Sequence, residues 1–347
     1  MGTGEHDPDR TELLATQSSL AGADVGDGLP PGTRLGRYRI EARVGHGGMG
    51  EVYRAEQLQP VRRTVALKLL RTQRLEARHK AYFELERQVL AQMRHPAIAQ
   101  IYDADTTEAG QPYFAMEFID GHPVTQYCQS KGLPLARRIA LFIEICNGVQ
   151  HAHQKGVIHR DLKPGNLLVD EIDGQAHPKI IDFGIATAAA LAETREAAGT
   201  PDYMSPEQAG GDQSLVDTRS DVYALGVVLC ELLTGRRPAT AGETVTDHDR
   251  TLRLPSEQLA TLPPGEADRL AKSHGRRLSE MRRVLRSELD WVVAKAMRHD
   301  RNARYASVAE LADDLRRFLD GRVVRAVPAS RWYASRKFVS RHRAGLA

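Results

Sequence analysis

The hydrophobic residues between residues 34 and 121 lie in short runs that alternate with polar residues, a pattern typical of β-strands. Alternation on both sides of a glycine-rich segment predicts a β-hairpin, and a run rich in Val and Leu predicts a third strand after it. One longer stretch has apolar residues at helical spacing. The predicted strands are 38–40, 52–55, 64–70, 98–103 and 113–118, and the predicted helix is 77–93.

Beyond residue 122 the pattern becomes helical. A strongly apolar helix is predicted to end at Gly235, because glycine commonly follows the last residue of a helix. Residues 239–284 are polar and poorly patterned and contain three prolines, so we interpret them as an insert. The predicted helices are 135–155, 217–234, 289–297 and 308–319.

Composition and charge differ between the two ends of the chain and its middle. Residues 1–33 are rich in Gly, Asp, Thr, Ser and Pro, which predicts a disordered acidic leader. Residues 321–347 contain six Arg, one Lys and no acidic residue, whereas the formal net charge of all 347 residues is only +3. Basic character is thus confined to a tail, which argues against a nucleic-acid-binding domain.

The cellular setting can be predicted from cysteine usage and from the hydropathy pattern. Three cysteines show no CxxC or disulfide-like spacing, which favours a reducing compartment. No apolar run approaches the length of a membrane span, and the acidic N-terminus does not resemble a signal peptide. We therefore expect a cytoplasmic protein.

The residue types needed for metal-assisted phosphoryl transfer occur in two neighbouring motifs. Residues 159–166 read His-Arg-Asp-Leu-Lys-Pro-Gly-Asn, so Asn166 lies five positions after Asp161. Asp182 begins an Asp-Phe-Gly motif directly after a β-like run. One carboxylate can orient an attacking hydroxyl, while the Asn and the second Asp supply the hard oxygen ligands that Mg²⁺ prefers.

Further motifs lie on either side in a fixed order. Residues 45–52 fit the pattern G-x-G-x-x-G-x-V, and Val-Ala-Leu-Lys at 65–68 follows as a strand. Glycines allow a hairpin turn to lie close to phosphates, and Lys68 on an apolar strand is costly to bury unless it is paired. Ser-Pro-Glu at 205–207 ends the segment that Asp182 opens. Alone, the glycine-rich loop is a weak signal, but the ordered set is very specific.

Taken together, these motifs resemble those of the eukaryotic-type serine/threonine protein kinases of bacteria. Gly-Gly-Met-Gly-Glu-Val-Tyr at 47–53 and Tyr-Met-Ser-Pro-Glu-Gln at 203–208 are especially similar to that branch. The resemblance covers residues 34–320 and implies an α+β, bilobal protein-kinase fold, with a small β-rich N-lobe that has one main helix and a larger, mostly helical C-lobe. It implies an N-lobe at 34–116, a hinge at 117–121, a C-lobe at 122–320 that includes the insert, and a basic juxtamembrane-like tail at 321–347.

The resemblance also implies which residues act. Asp161, Lys163 and Lys68 are the expected catalytic residues, Asn166 and Asp182 the metal ligands, and His159 a core histidine without proton chemistry. Glu86 is the expected partner of Lys68, although Glu76 and Glu84 compete for that role. The expected ATP-binding residues are Val44, Gly45, His46, Gly47, Gly48, Met49, Gly50, Val52, Ala66, Lys68, Glu86, Met116 as gatekeeper, the backbone of Glu117 and Ile119, and Leu168, several of which are equally plausible as plain core.

Three structural pairings are expected as well. Asp221 is expected to brace the catalytic loop, Glu207 to pair with Arg304, and Thr200 to contact Asp161 and Lys163. The only departure from the family pattern is Ser205, where many kinases have Ala.

The expected activity is transfer of the ATP γ-phosphate to Ser or Thr hydroxyls of proteins, with Mg²⁺ or Mn²⁺. Autophosphorylation is expected at Thr194, with Thr187 as a weaker candidate, and a dimer would permit it in trans. Aromatic residues interleaved with Arg in the tail suit an anionic membrane surface, whereas a solvated or packed tail is the equal alternative. The resemblance implies a cytoplasmic kinase domain, tethered to the inner membrane if the native chain continues past residue 347. The rival interpretations are an inactive nucleotide-binding pseudokinase scaffold and a kinase-like small-molecule phosphotransferase.

Overall fold

A computed structural model describes residues 28–47, 50–70, 92–183, 200–211, 213–238 and 253–328. The chain divides into two compact units. The first comprises Met1–Ala81 and Gln100–Phe118, and the second comprises Tyr82–Ala99 and Ile119–Ala347. Most of the predicted helix 77–93, including Glu86, lies outside the described residues, as do Thr187 and Thr194.

The first unit is a six-stranded antiparallel sheet in the order β1-β2-β3-β4-β6-β5. Its hydrophobic core lies on one face and includes the fully buried Tyr38, Tyr53 and Leu67. Tyr38 packs edge-to-face on Tyr113 with ring centroids 5.8 Å apart. The strands are β1 Arg34–Leu35, β2 Tyr38–Gly47, β3 Gly50–Gln57, β4 Arg63–Leu70, β5 Ile101–Thr106 and β6 Pro112–Glu117.

Two details differ from the sequence prediction. The strand predicted at 98–103 begins at Ile101, because the Ala99 N–H donates to Ile180 O (3.0 Å) and Ile98 packs in the second unit. Residues 28–33, which the composition assigned to a disordered leader, are bonded to the sheet. The Leu29 N–H donates to Tyr53 Oη (2.9 Å), and Ile40 N donates to Thr33 O (2.9 Å).

The second unit combines a small three-stranded sheet with a helical body. The sheet runs β7-β8-β9, with strands β7 His122–Pro123, β8 Leu167–Ile172 and β9 Gln175–Ile180. Strands β8 and β9 form a hairpin whose Asp173-Gly174 turn has positive φ at both residues, as Asp-Gly turns do. The helices are α1 Val124–Ser130, α2 Leu135–Gln154, α3 Pro206–Ala209, α4 Thr218–Thr234, α5 Pro255–Thr261, α6 Pro264–Ser273, α7 Leu278–Val284, α8 Asp290–Ala296 and α9 Val308–Leu319.

Helix α4 is buried around most of its circumference and passes through the core of the second unit. Residues next to the helix determine where it begins and ends. The Asp217 carboxylate accepts from the Arg219 N–H (2.8 Å) as the N-cap, and Gly235 adopts φ +70° after the last turn. The sequence prediction of this helix and its end is confirmed.

The described part of the predicted insert is helical. Helices α5, α6 and α7 all lie between residues 253 and 284, and buried Leu259, Ala271 and Met281 anchor them. Pro255 and Pro264 occupy the first positions of α5 and α6, where a missing N–H costs nothing. The sequence pattern marked residues 239–284 as an insert without predicting helices in it, and prolines start two of the three helices in its described part.

Helix α9 has its predicted bounds and is followed by a segment held to the unit. Asp314 is fully buried, and its carboxylate accepts from the N–H groups of Arg325 (2.7 Å) and Ala326 (2.9 Å) and from Tyr305 Oη (2.9 Å). Val324 is fully buried. The first residues of the basic tail thus pack on the second unit. Among helices in the described ranges, none is long and apolar enough to cross a membrane.

Candidate active site

Four side chains converge at the loop between α2 and β8. Asp161 Oδ1 accepts from Thr200 N (3.0 Å) and lies 3.3 Å from Thr200 Oγ1. Lys163 Nζ is 2.9 Å from Asp161 Oδ2 and donates to Thr200 Oγ1 (2.7 Å). Asn166 Nδ2 donates to Asp161 O (2.7 Å) and to Asp161 Oδ2 (3.1 Å). The predicted contacts of Thr200 are confirmed, and Asp161 is held at both carboxylate oxygens.

A short 3₁₀ turn, Pro164–Asn166, carries Asn166 into this cluster. The Ile181 N–H donates to Asn166 O (3.0 Å), which fixes the end of β9 beside the turn. Asp182 follows directly with φ +57°, a left-handed conformation uncommon outside glycine. The hydrogen bond between Ile181 and Asn166 thereby places Asp182 close to Asn166, sixteen residues earlier in the chain.

His159 is a core residue, as predicted. It is fully buried, its Nε2 lies 3.0 Å from Ile181 O, and its ring packs on Phe183 with centroids 4.8 Å apart. Burial lowers its pKa below the ordinary value, although the Asp221, Asp161 and Asp182 carboxylates act in the opposite direction. A neutral His159 therefore packs beneath the loop.

Asp221 of α4 braces the loop, again as predicted. Its carboxylate accepts from the N–H groups of His159 (2.8 Å) and Arg160 (2.9 Å) and lies 2.7 Å from His153 Nε2. Burial raises the pKa of Asp221, but hydrogen bonding and the nearby histidines outweigh it, so the net pKa is lowered. The charged carboxylate thus stabilises Arg160 in a positive-φ conformation (φ +66°).

The residues present fit a hard divalent cation. The Asn166 amide nitrogen donates to Asp161, which leaves its amide oxygen as the ligand atom, and Asp182 adds a carboxylate. Within the described ranges, no group of three or more His, Cys, Asp or Glu residues is placed to hold a metal ion. A site with only two protein ligands suits Mg²⁺, which usually keeps waters and substrate phosphates as its remaining ligands.

The first unit arranges its predicted residues on one face of the sheet. Val52 and Lys68 are directly paired across β3 and β4, and Ala66 and Met116 across β4 and β6. Paired residues of antiparallel strands share a face, and alternate residues of one strand do too. These four side chains therefore lie on the face opposite the core cluster that contains Val65.

Lys68 is 6% exposed, and Gly50 has a backbone that only glycine can supply. A Cβ at Gly50 would lie 2.0 Å from Leu69 O, and its φ is +148°. Val44, Gly45, His46, Gly47 and Glu117 also belong to the first unit, whereas Ile119 and Leu168 belong to the second. Gly48 and Met49 lie outside the described residues.

The segment after Thr200 is anchored by a buried ion pair, as expected. Arg304 Nη1 and Nη2 each donate to a Glu207 carboxylate oxygen at 2.7 Å, and the two side chains are 0% and 7% exposed. Tyr203 Oη donates to Glu231 Oε2 (2.6 Å). These contacts fix the chain that carries Thr200.

Sequence reasoning missed two participants. Gln208 contacts the catalytic loop by donating from Nε2 to Arg160 O (2.8 Å), and His153 contacts Asp221. The Ser-x-x-Gln spacing of a capping box at 205–208 was an available signal for Gln208. No comparable signal points to His153.

The fold and this site are those of a protein kinase, and the chain belongs to the protein kinase family. The family model "Protein kinase domain" matches residues 38–314. Serine/threonine-protein kinase PknB of Mycobacterium tuberculosis is 36% identical over 297 residues, which cover 82% of this chain and 43% of that relative. Probable serine/threonine-protein kinase PknB of Bifidobacterium longum is 33% identical over 310 residues, covering 85% and 41%.

Solved structures agree with this assignment. The kinase domain of M. tuberculosis PknI matches with a TM-score of 0.58 and 27% identity, covering 84% of this chain and all of that one. The α+β protein-kinase fold predicted from sequence is confirmed, with a β-rich first unit and a mostly helical second unit. The chain spans less than half the length of the curated relatives that it matches.

Proposed function

We propose that the chain is an ATP-dependent protein serine/threonine kinase. The observation that carries this proposal is the convergence of Lys163, Asn166 and Thr200 on the Asp161 carboxylate, each within hydrogen-bond distance of it. These are the groups that position and neutralise a transferring phosphoryl group. The names of the bacterial relatives support Ser and Thr as the acceptors.

In the proposed reaction the substrate hydroxyl attacks the γ-phosphorus of ATP, the bond to the β-phosphate oxygen breaks, and ADP leaves. Asp161 orients the hydroxyl and accepts its proton, while Lys163 offers positive charge to the transferring group. Thr200, held by both residues, fixes the lysine ammonium beside the carboxylate. Asn166 and Asp182 would hold Mg²⁺ or Mn²⁺, which neutralises phosphate charge when bound.

For nucleotide binding we propose the face of the first unit that bears Val52, Ala66, Lys68 and Met116. Lys68 places a buried ammonium group on β4 between Leu67 and Leu69, which suits the α- and β-phosphates, and the three apolar side chains suit an adenine ring. The backbone of Glu117, which belongs to the same unit, would hydrogen-bond the adenine edge. The glycines at 45, 47, 48 and 50 would place N–H groups near the phosphates.

The test is intact-mass analysis after incubation with Mg-ATP, comparing the natural sequence with Asp161→Asn and Lys68→Met. We expect phosphate incorporation on Ser or Thr in the natural sequence and a loss of several orders of magnitude in each variant, with unchanged circular dichroism. Near-normal transfer by folded Asp161→Asn would contradict the assigned role. Nucleotide binding without transfer in the natural sequence would favour a pseudokinase scaffold.

A further inference from the structure

We propose that Gln208, oriented by Ser205, is a positioning residue for the catalytic loop. Its side-chain amide ties the Arg160 carbonyl to the start of helix α3 and thereby holds the peptide group that leads into Asp161. This inference rests on the proposed kinase function. It assigns a role to the position at which the sequence departs from the family pattern.

Both polar atoms of the Gln208 side-chain amide make hydrogen bonds. Nε2 donates to Arg160 O (2.8 Å), while Oε1 accepts from Ser205 N (3.2 Å) and from Ser205 Oγ (3.0 Å). The orientation is unambiguous, because a carbonyl only accepts and a backbone N–H only donates. Gln208 is 5% exposed and Ser205 is fully buried, so water does not compete for these bonds.

The Arg160 backbone is in the left-handed region (φ +66°), which is strained for a residue other than glycine. Hydrogen bonds from neighbouring groups must therefore stabilise this conformation. Asp221 holds its N–H, and Gln208 holds its carbonyl on the other side of the residue. The Asp161 N–H of the same peptide group makes only a long contact with His159 Nδ1 (3.3 Å). Gln208 therefore makes the shorter of the two hydrogen bonds that restrain rotation of the Arg160–Asp161 peptide plane.

Rotation of that plane would move the Asp161 carboxylate away from Lys163 and Thr200. Loss of the hydrogen bond from Gln208 to Arg160 O should therefore reduce the rate of phosphoryl transfer more than it weakens substrate binding. A displacement of about 1 Å at a reacting group can cost roughly 100-fold in rate. We expect Gln208→Met, which keeps the side-chain length but cannot hydrogen-bond, to lower kcat by roughly 10- to 100-fold, with KM for ATP changed by no more than about twofold.

Ser205 supplies a second donor to Gln208 Oε1 that alanine lacks. In Ser205→Ala the backbone N–H still holds the amide, so the loss of kcat should be smaller than in Gln208→Met. Because Ser205 acts through Gln208, Ser205→Ala should add little to a chain that already carries Gln208→Met.

Gln258→Met is the matched control. Gln258 is also 5% exposed in the second unit, and its amide donates to a backbone carbonyl, Arg253 O (3.1 Å), and to Cys230 Sγ (3.2 Å). None of these partners belongs to the catalytic loop. This variant loses the same kind of buried amide, so it reports the effect of general destabilisation on kcat.

The experiment measures ADP release by the full chain with casein as the acceptor protein, over a range of ATP concentrations, together with the Tm of each variant. A fall in kcat for Gln208→Met well beyond that of Gln258→Met at similar Tm supports the inference. Equal kcat values in these two variants would overturn it. If Gln208→Met does not fold, Ser205→Ala is the deciding variant, because it removes a single hydroxyl group. An unchanged kcat in Ser205→Ala would then contradict the proposal.

Gln208→Glu gives an independent readout. The introduced carboxylate can still accept from Ser205, but it repels Arg160 O until it is protonated. The kcat of this variant relative to the natural sequence should therefore rise as pH falls, whereas a purely structural role predicts a flat ratio. If the natural sequence itself transfers no phosphate, the proposed function fails, and that outcome is distinct from an active enzyme indifferent to Gln208.

Discussion

Removing one partner of the buried Glu207–Arg304 pair should cost far more stability than removing one partner of an exposed ion pair with a similar N–O distance. Arg304→Met removes the guanidinium that makes two 2.7 Å bonds to Glu207 and also donates to Arg298 O (2.7 Å) and Arg219 O (3.0 Å). Among the described residues, the Ser220 hydroxyl (2.7 Å) would then be the one side-chain donor left to the buried Glu207 carboxylate. An uncompensated buried charge is the main cost of such a change.

Breaking a buried pair by removing one partner costs about 3–5 kcal/mol. At roughly 2–4 °C per kcal/mol, Tm should fall by roughly 6–20 °C. Arg236→Met is the control, because Arg236 lies 2.7 Å from Glu266 with the two side chains 54% and 38% exposed. Such surface pairs contribute at most about 1 kcal/mol.

Thermal unfolding by circular dichroism and urea unfolding at neutral pH would measure both variants. Adding Glu207→Gln to Arg304→Met should recover part of the lost stability, because no buried charge is then left unpaired. If Arg304→Met costs no more than Arg236→Met, the energetic reasoning is refuted.

The same pair predicts a pH dependence. Burial by itself raises the pKa of Glu207, but hydrogen bonds from Arg304 and Ser220 bring the net pKa below its ordinary value. A carboxylate with a lowered folded pKa stabilises the protein fully above its unfolded pKa, about 4.3, and loses that contribution as pH falls through the folded value. The stability difference between the natural sequence and Arg304→Met should therefore shrink in acid.

Three further predictions concern other parts of the second unit. Gly226→Ala should destabilise the fold by about 1–3 kcal/mol in urea unfolding, because the added Cβ would lie 2.9 Å from Ala296 Cβ. Wild-type stability for this variant would contradict close packing of α4 on α8. Asp314→Asn should cost about 1–3 kcal/mol and speed tryptic cleavage after residue 320, because an amide cannot accept all three bonds that the carboxylate accepts. Unchanged cleavage would show that Asp314 does not hold this segment. Phosphopeptide mapping of active enzyme should find phosphate at Thr194 that Thr194→Ala removes, and phosphate only outside 185–198 would contradict this.

Much of the candidate site could be predicted because its residues are neighbours in the chain. Asp161, Lys163 and Asn166 occupy one loop, so their order and spacing in the sequence were enough to predict the chemistry that we propose for them. The helices with strong apolar periodicity, such as α4 and α9, were predicted to within one residue for the same reason. Local rules also set the end of α4 at Gly235.

Where the sequence prediction failed, two local signals competed. The apolar Ile98 was predicted to start a strand of the first sheet. Its neighbours Ala97 and Ala99 instead hydrogen-bond to Ile180, so Ile98 packs in the second unit. The prolines within 253–284 contributed to the interpretation of that stretch as an insert, and the structure shows that Pro255 and Pro264 start helices. A short apolar run or a single proline has no unique meaning until the tertiary partners are known.

The sequence alone determined the family and the fold class, and it predicted which residues would act on a phosphoryl group. Tertiary structure decided which face of the sheet carries Lys68 and how the catalytic loop is supported. Gln208 is 48 residues from Arg160, and Arg304 is 97 from Glu207. Hydrogen-bond partners at such separations depend on how whole helices pack, and side-chain periodicity within one segment carries no information about that.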